Sequence, residues 1–219
     1  SDLENMVATG ESVYGDAVMS PFIGNHDILR YSTYLANNYD PYDDWNQPED
    51  LMAAGSGATV DQWDLINKMS MAFCFVLTQK GAPLIYYGDE IGLAGNGDPD
   101  NRRAMSFAPY LNANQDEMLG RIQALGQARQ DSKALRRGDR SQIWVDDDFY
   151  VYSRDAGNGD VAIVAMNKGG STRTESVSLS GLGIDGQTLT NAVGSGSISV
   201  SGESATISLG SWEYAVYVP

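Results

Sequence analysis

The chain has 219 residues, with 14 Lys and Arg against 29 Asp and Glu, a formal net charge of −15 and enough length for one large or two small domains. That charge argues against nucleic acid and anionic membrane as partners, because binding to a polyanion rests on clustered Lys and Arg. A single cysteine, Cys74, and a single histidine, His26, exclude an intrachain disulfide, a cysteine-built zinc site and catalysis by several histidines.

In chain order, Ala17–Gly24 (AVMSPFIG) reads as a short buried strand that ends in Asn25-His26-Asp27. From about Tyr31 to Thr59 runs a loop rich in Asn, Asp, Tyr and Gly. It exceeds the about 12–15 residues of ordinary structureless connections, which implies a functional or partly ordered segment. Asp61–Lys80 reads as a helix capped by Asp61, with Trp63, Ile66, Met69, Phe73 and Leu77 at spacings of three and four. Its most apolar run, Met71–Leu77, is far short of the roughly 18 residues of a membrane span. Gly81 stops the helix, and Pro83–Tyr87 (PLIYY) reads as a second buried strand ending in Gly88-Asp89-Glu90. Strand, helix and strand in this order predict a βαβ unit with parallel strands.

Gln115–Arg137 reads as one helix with Met118, Ile122 and Leu125 on one face, Arg136 and Arg137 near its C-terminus and Gly138 at its end. Beyond it the period changes. Asp148–Arg154 and Asp160–Met166 are β-rich runs joined by Asn158-Gly159, a hairpin signal. Further short runs at Glu175–Leu179, Ser197–Val200, Ala205–Leu209 and Glu213–Val218, separated by Gly and Ser, predict a small antiparallel sandwich. The domains expected are therefore residues 1–138 and residues 139–219.

Two clusters can carry chemistry. Asn25-His26-Asp27 gives a donor pair and a carboxylate at one strand end; the same residues also suit a turn cap, since Asn and Asp close turns. In Gly95-Asn96-Gly97-Asp98-Pro99-Asp100-Asn101-Arg102-Arg103, Asp98 and Arg102 can clamp vicinal hydroxyls, or Arg102 can pair with Asp98 or Glu90. A calcium loop starting at Asp98 fails, with Arg103 at the position that needs Gly and Pro109 at the one that needs Glu. Tyr34, Tyr39, Tyr42 and Trp45 of the long loop present ring faces that can stack on a ligand or pack the loop.

Together the two clusters resemble the α-amylase family of glycoside hydrolases (family 13). FIGNHDILR resembles the family's fourth signature region, at the end of barrel strand seven, and GAPLIYYGDE its strand-eight signature. The DPDNR run resembles a loop lining glucose subsites, and the β-rich tail the small C-terminal domain. The resemblance implies an α/β fold: the last two β/α units of a (β/α)8 barrel followed by a small antiparallel β-sandwich. It implies Asp27 as the catalytic transition-state stabiliser, His26, Asp98 and Arg102 as substrate-binding residues, Arg30 as an orienting group and Glu90 as structural. The ligand implied is an α-1,4-linked glucan or maltooligosaccharide, cleaved with retention or passed on by transglycosylation.

Retention needs two carboxyl groups about 5–5.5 Å apart. The family takes them from barrel strands four and five, and its calcium ligands also lie mostly upstream, so no cofactor is expected here. A barrel takes about 250 residues. The chain is thus expected to be part of an enzyme and inactive alone, with its apolar face covered by the N-terminal barrel portion or by another copy of the chain. A second reading is a non-catalytic carbohydrate-binding or scaffold protein of the same fold, using Trp144 or Trp212. Low Lys content and a Ser/Gly-rich second half point to a secreted or periplasmic bacterial protein.

Overall fold

The computed structural model describes residues 2–15, 17–37 and 62–219. Asp61 and the loop aromatics Tyr39, Tyr42 and Trp45 lie outside the described residues. Over the described residues the helices are α1 (Asp2–Tyr14), α2 (Tyr31–Asn37), α3 (Gln62–Thr78), α4 (Ala113–Asp131) and α5 (Lys133–Arg137). The strands are β1 (Asp139–Val145), β2 (Phe149–Asp155), β3 (Val161–Asn167), β4 (Arg173–Ser178), β5 (Thr188–Asn191), β6 (Ser197–Ser199), β7 (Ser204–Leu209) and β8 (Glu213–Val218). They divide between two compact units. One takes the described residues up to Ser20, Leu77–Ala82 and Ala124–Pro219; the other takes the described residues of Pro21–Val76 together with Pro83–Gln123.

The first unit is built on antiparallel sheets. Six strands run in the order β1-β2-β3-β8-β5-β6, and β4 pairs with β7 in a second sheet. Alternate residues of both sheets, among them Phe149, Val151, Ile163, Val177, Leu189 and Ile207, form one apolar core. The hairpin read at Asn158-Gly159 is present, with both residues in the left-handed region (φ 57° and 79°) and Asp155 opposite Val161.

Every residue of β3 is buried, so the sheet is covered on its second face too. Polar anchors hold that face. Arg140 of β1 lies between Glu4 and Glu11 of α1, with Nη1 2.9 Å from Glu4 Oε2 and Nε 3.1 Å from Glu11 Oε1, and Tyr150 donates to the same Glu4 carboxylate. Burial pushes Glu4 up, but hydrogen bonds from Arg140 and Tyr150 outweigh it and hold its carboxyl below the usual range. Arg154, fully buried, donates Nη2 to Gly138 O at 2.8 Å and Nη1 to Thr78 O, and Thr78 Oγ1 hydrogen-bonds Tyr152 Oη. Arg129 donates to the carbonyls of Leu77, Gln79, Gly81 and Leu135. Orphan carbonyls at the ends of α3 and α5 are thus met by arginines.

Three expectations change. The single helix over 115–137 is two, because Ser132 turns extended (φ −88°, ψ 118°) and its Oγ accepts from Leu135 N, capping α5. Ile66, Met69, Phe73 and Leu77 of α3 are buried as read, but Trp63 in its first turn is exposed. Neither Ala17–Gly24 nor Pro83–Tyr87 forms a strand, and both are largely exposed. Ala82 N donates to Met19 O at 2.8 Å and Leu84 N to Pro21 O at 3.0 Å, an advance in the same direction along both segments. Pro21 and Pro83 have no N–H with which to extend that ladder. Helix α3 ends at Thr78, short of the stop read at Gly81, where φ is 105° and a Cβ would meet Met19 O at 2.0 Å.

Candidate functional site

In the second unit, Arg30 organises the segment that follows Asn25-His26-Asp27. Its guanidinium is buried, with Nη1 2.9 Å from Asp89 Oδ1 and also donating to Tyr87 O, and with Nε 2.8 Å from Asn101 O. The Tyr86 and Tyr87 rings lie 4.1 and 4.7 Å from its Cζ, a cation–π arrangement that suits Arg. Burial pushes Asp89 up to about 6, against the hydrogen bond and charge of Arg30. Asp89 Oδ2 crowds Gly24: a Cβ there would lie 2.3 Å from it, so the backbone entering the triplet needs glycine.

The triplet makes a local turn through Asn25, whose Oδ1 accepts from Asp27 N at 2.8 Å. This Asx turn uses Asn25 as the turn-former and leaves the Asp27 carboxylate outside the turn. His26 Nε2 lies 3.2 Å from Asp27 Oδ1, and both side chains are about two-thirds exposed (64% and 68%). Beside them, Asp98 Oδ2 is 3.1 Å from Arg102 Nη2, and that same nitrogen lies 3.5 Å from His26 O. The four residues singled out from the sequence are therefore linked contact by contact. Arg102 pairs with Asp98, and the side chains present carboxylate acceptors, a guanidinium fork and an imidazole to solvent, a set that matches hydroxyl pairs.

Other groups shape this surface without having been read from the sequence. Asn101, buried at the centre of a 3-10 turn (Asp100–Arg102), donates Nδ2 to His26 O at 2.9 Å and to Ile28 O at 2.8 Å. Arg103 grips Asp100 with two bonds of 2.8 Å, and Asp100 Oδ2 accepts from Asn96 N. From α2, Ser32 Oγ donates to Leu93 O and Thr33 Oγ1 accepts from Gly95 N, fixing the loop that leads to Asp98. Only proximity in space reveals these roles. Among the described residues no three His, Cys, Asp or Glu side chains gather as they would to hold a metal ion.

No family model matches the chain. Over 182 residues it is 37% identical to an α-amylase from Niallia circulans, a match covering 82% of this chain and 28% of that protein. Over 179 residues it is 35% identical to a cyclomaltodextrin glucanotransferase from the same organism, covering 81% and 20%. The structure of the α-amylase from Geobacillus thermoleovorans, complexed with acarbose, has the same fold, with a TM-score of 0.75 over 98% of this chain and 42% of that one at 22% identity. The chain is similar to these relatives over most of its length. It belongs to the α-amylase family of glycoside hydrolases. The matches span 20% and 28% of the lengths of the two curated relatives.

Proposed function

We propose that this chain supplies one wall of the glucan cleft of an α-amylase-type hydrolase that cleaves α-1,4-glucosidic bonds with retention. Residues 1–138 are the last two β/α units of its barrel, and residues 139–219 an all-β sandwich. The parallel advance of Ala82 and Leu84 along Met19 and Pro21 supports the first assignment, and antiparallel pairing from Asp139 onward supports the second.

The observation that carries the reading is the linked set His26, Asp27, Asp98 and Arg102, with Asn25 relieving Asp27 of turn duty. In the mechanism, Asp27 faces the sugar ring at the scissile bond, where a fixed carboxylate stabilises the positive charge of an oxocarbenium-like transition state more than the neutral ground state. His26 donates to a hydroxyl of the same sugar. Asp98 accepts from, and Arg102 donates to, hydroxyls of the neighbouring glucose. The nucleophile and the general acid are a second pair of carboxyls that these roles do not include, so the 219 residues by themselves hydrolyse nothing. The exposed Phe22, Leu84 and Ile85 of the second unit form the seat for the N-terminal barrel portion. A polymeric glucan substrate fits a secreted or periplasmic place of action.

Reducing-end release from maltoheptaose tests this. The chain alone releases none, whereas the chain joined to the N-terminal portion of the Niallia circulans α-amylase does, and Asp27→Ala abolishes it. Release by the 219 residues alone would overturn the reading. Loss of glucan binding on Trp212→Ala but not on Asp27→Ala would favour a non-catalytic role for the β domain.

A further inference from the structure

Asp27 is exposed, and its own side chain is held by nothing stronger than the neighbouring imidazole. What fixes its position is therefore the backbone on either side. Both flanking carbonyls, His26 O and Ile28 O, accept from one carboxamide nitrogen, Asn101 Nδ2, at 2.9 and 2.8 Å. Asn101 is fully buried, and its Oδ1 has no hydrogen-bond partner. The orientation of the amide is thus set by its donors alone, since a flipped amide would turn an oxygen against two carbonyl oxygens. The backbone of Asn101 is anchored in turn, with Arg30 Nε 2.8 Å from Asn101 O and Arg30 tied to Asp89.

We propose that Asn101 is the positioning residue for Asp27, tying together the carbonyl of the residue before it and that of the residue after it so that the carboxylate meets the sugar at a fixed angle. The proposal rests on the reading of Asp27 as a glucan-contacting carboxylate. It follows from chemistry that a side chain of the same shape with no N–H pair cannot do this, so Asn101→Asp is the sharp substitution. Small misplacements of a reacting group cost far more in function than in stability. Asn101 touches no substrate; it acts through the main chain of residues 26–28.

His26 is the only histidine in the chain, so its imidazole gives one NMR signal that reports directly on this loop. In the wild-type chain, couplings through the hydrogen bonds from Asn101 Nδ2 to the carbonyl carbons of His26 and Ile28 are expected; their absence overturns the proposal whether or not any variant folds. A maltoheptaose titration followed by the His26 signal then compares variants. Asn101→Asp and Asn101→Ala are expected to bind about tenfold more weakly or worse, with a shifted His26 signal and unchanged signals from residues 139–219. A merely structural role would lower the unfolding midpoint and leave affinity and the His26 signal of the folded chain as they are, which would refute the proposal. If Asp27→Ala binds like wild type, or wild type does not bind, the reading of the site itself fails. If Asp27→Ala loses binding and Asn101→Asp keeps it, only the positioning role fails.

Discussion

β3 and the pair of segments Ala17–Gly24 and Pro83–Tyr87 have similar apolar content, yet they end in opposite surroundings. β3 lies between β2 and β8, with an apolar core on one face and the Arg154, Tyr152 and Thr78 contacts beside it on the other, and each of its residues is buried. In the other two segments Val18 is 74% exposed, and Met19, Phe22, Leu84 and Ile85 are exposed as well. An apolar run records that a residue is to be buried; whether it is depends on what covers it. The β-rich half carries its own cover, made of a second sheet and buried arginines. The two extended segments share backbone hydrogen bonds at Ala82 and Leu84, and Tyr86 and Tyr87 meet the Arg30 guanidinium, but their aliphatic side chains stay without cover.

The strongest way to break this contrast is paired substitution. Ile163→Ala in β3 is expected to cost about 3 kcal/mol, and Val18→Ala less than about 0.5 kcal/mol, by denaturant unfolding of the 219-residue chain. Equal costs would mean that the exposed segment is packed in solution. Arg140→Ala strands the largely buried Glu4 carboxylate and should cost about 3 kcal/mol, measured in the same way.

Acid sharpens the comparison. Glu4, Asp100 and Asp146 are held below the usual carboxylate range by hydrogen bonds that outweigh burial. Their stabilisation is complete above the unfolded-state values and is lost as pH falls through the depressed ones. Asp89 works the other way: burial raises it to about 6, so the fold gains stability as pH drops from about 6 towards the ordinary carboxylate value and loses it on the way back up. Asp89→Asn should remove that gain and leave the acid limb in place, as thermal melts across pH will show. Smaller again, Asn158→Ala at its positive φ should cost about 1 kcal/mol. Smallest is Asp98→Ala, which breaks an exposed pair worth under about 1 kcal/mol in stability, while on the proposed reading it removes glucan affinity in a binding titration.

What was legible follows the same line. β2, β3, β7 and β8 were readable because alternation, a left-handed Asn-Gly turn and short Gly/Ser spacers are local signals. β1 was missed: its sequence DRSQIWV is half polar, and its pairing slips between Gln142 and Trp144. β5 is four residues long and only one of them is buried. Helix α1 was missed too, since its anchor is Glu4 to Arg140 across 136 residues, which no local pattern carries. The break at Ser132 had a readable sign, a serine able to cap, but the apolar spacing of the preceding helix concealed it. At the candidate site, His26, Asp27, Asp98 and Arg102 were singled out through motif and spacing, whereas Asn101 was not, because the two carbonyls that it reaches lie more than seventy positions away.

Hydrogen exchange of the isolated 219-residue chain tests the contrast most directly. Amides of β2, β3 and β8 should exchange only with global unfolding, and those of Ala82 and Leu84 orders of magnitude faster, through local opening. Equal protection in both regions would contradict the account, because it would mean that the extended segments already have the cover that the rest of a barrel is proposed to supply.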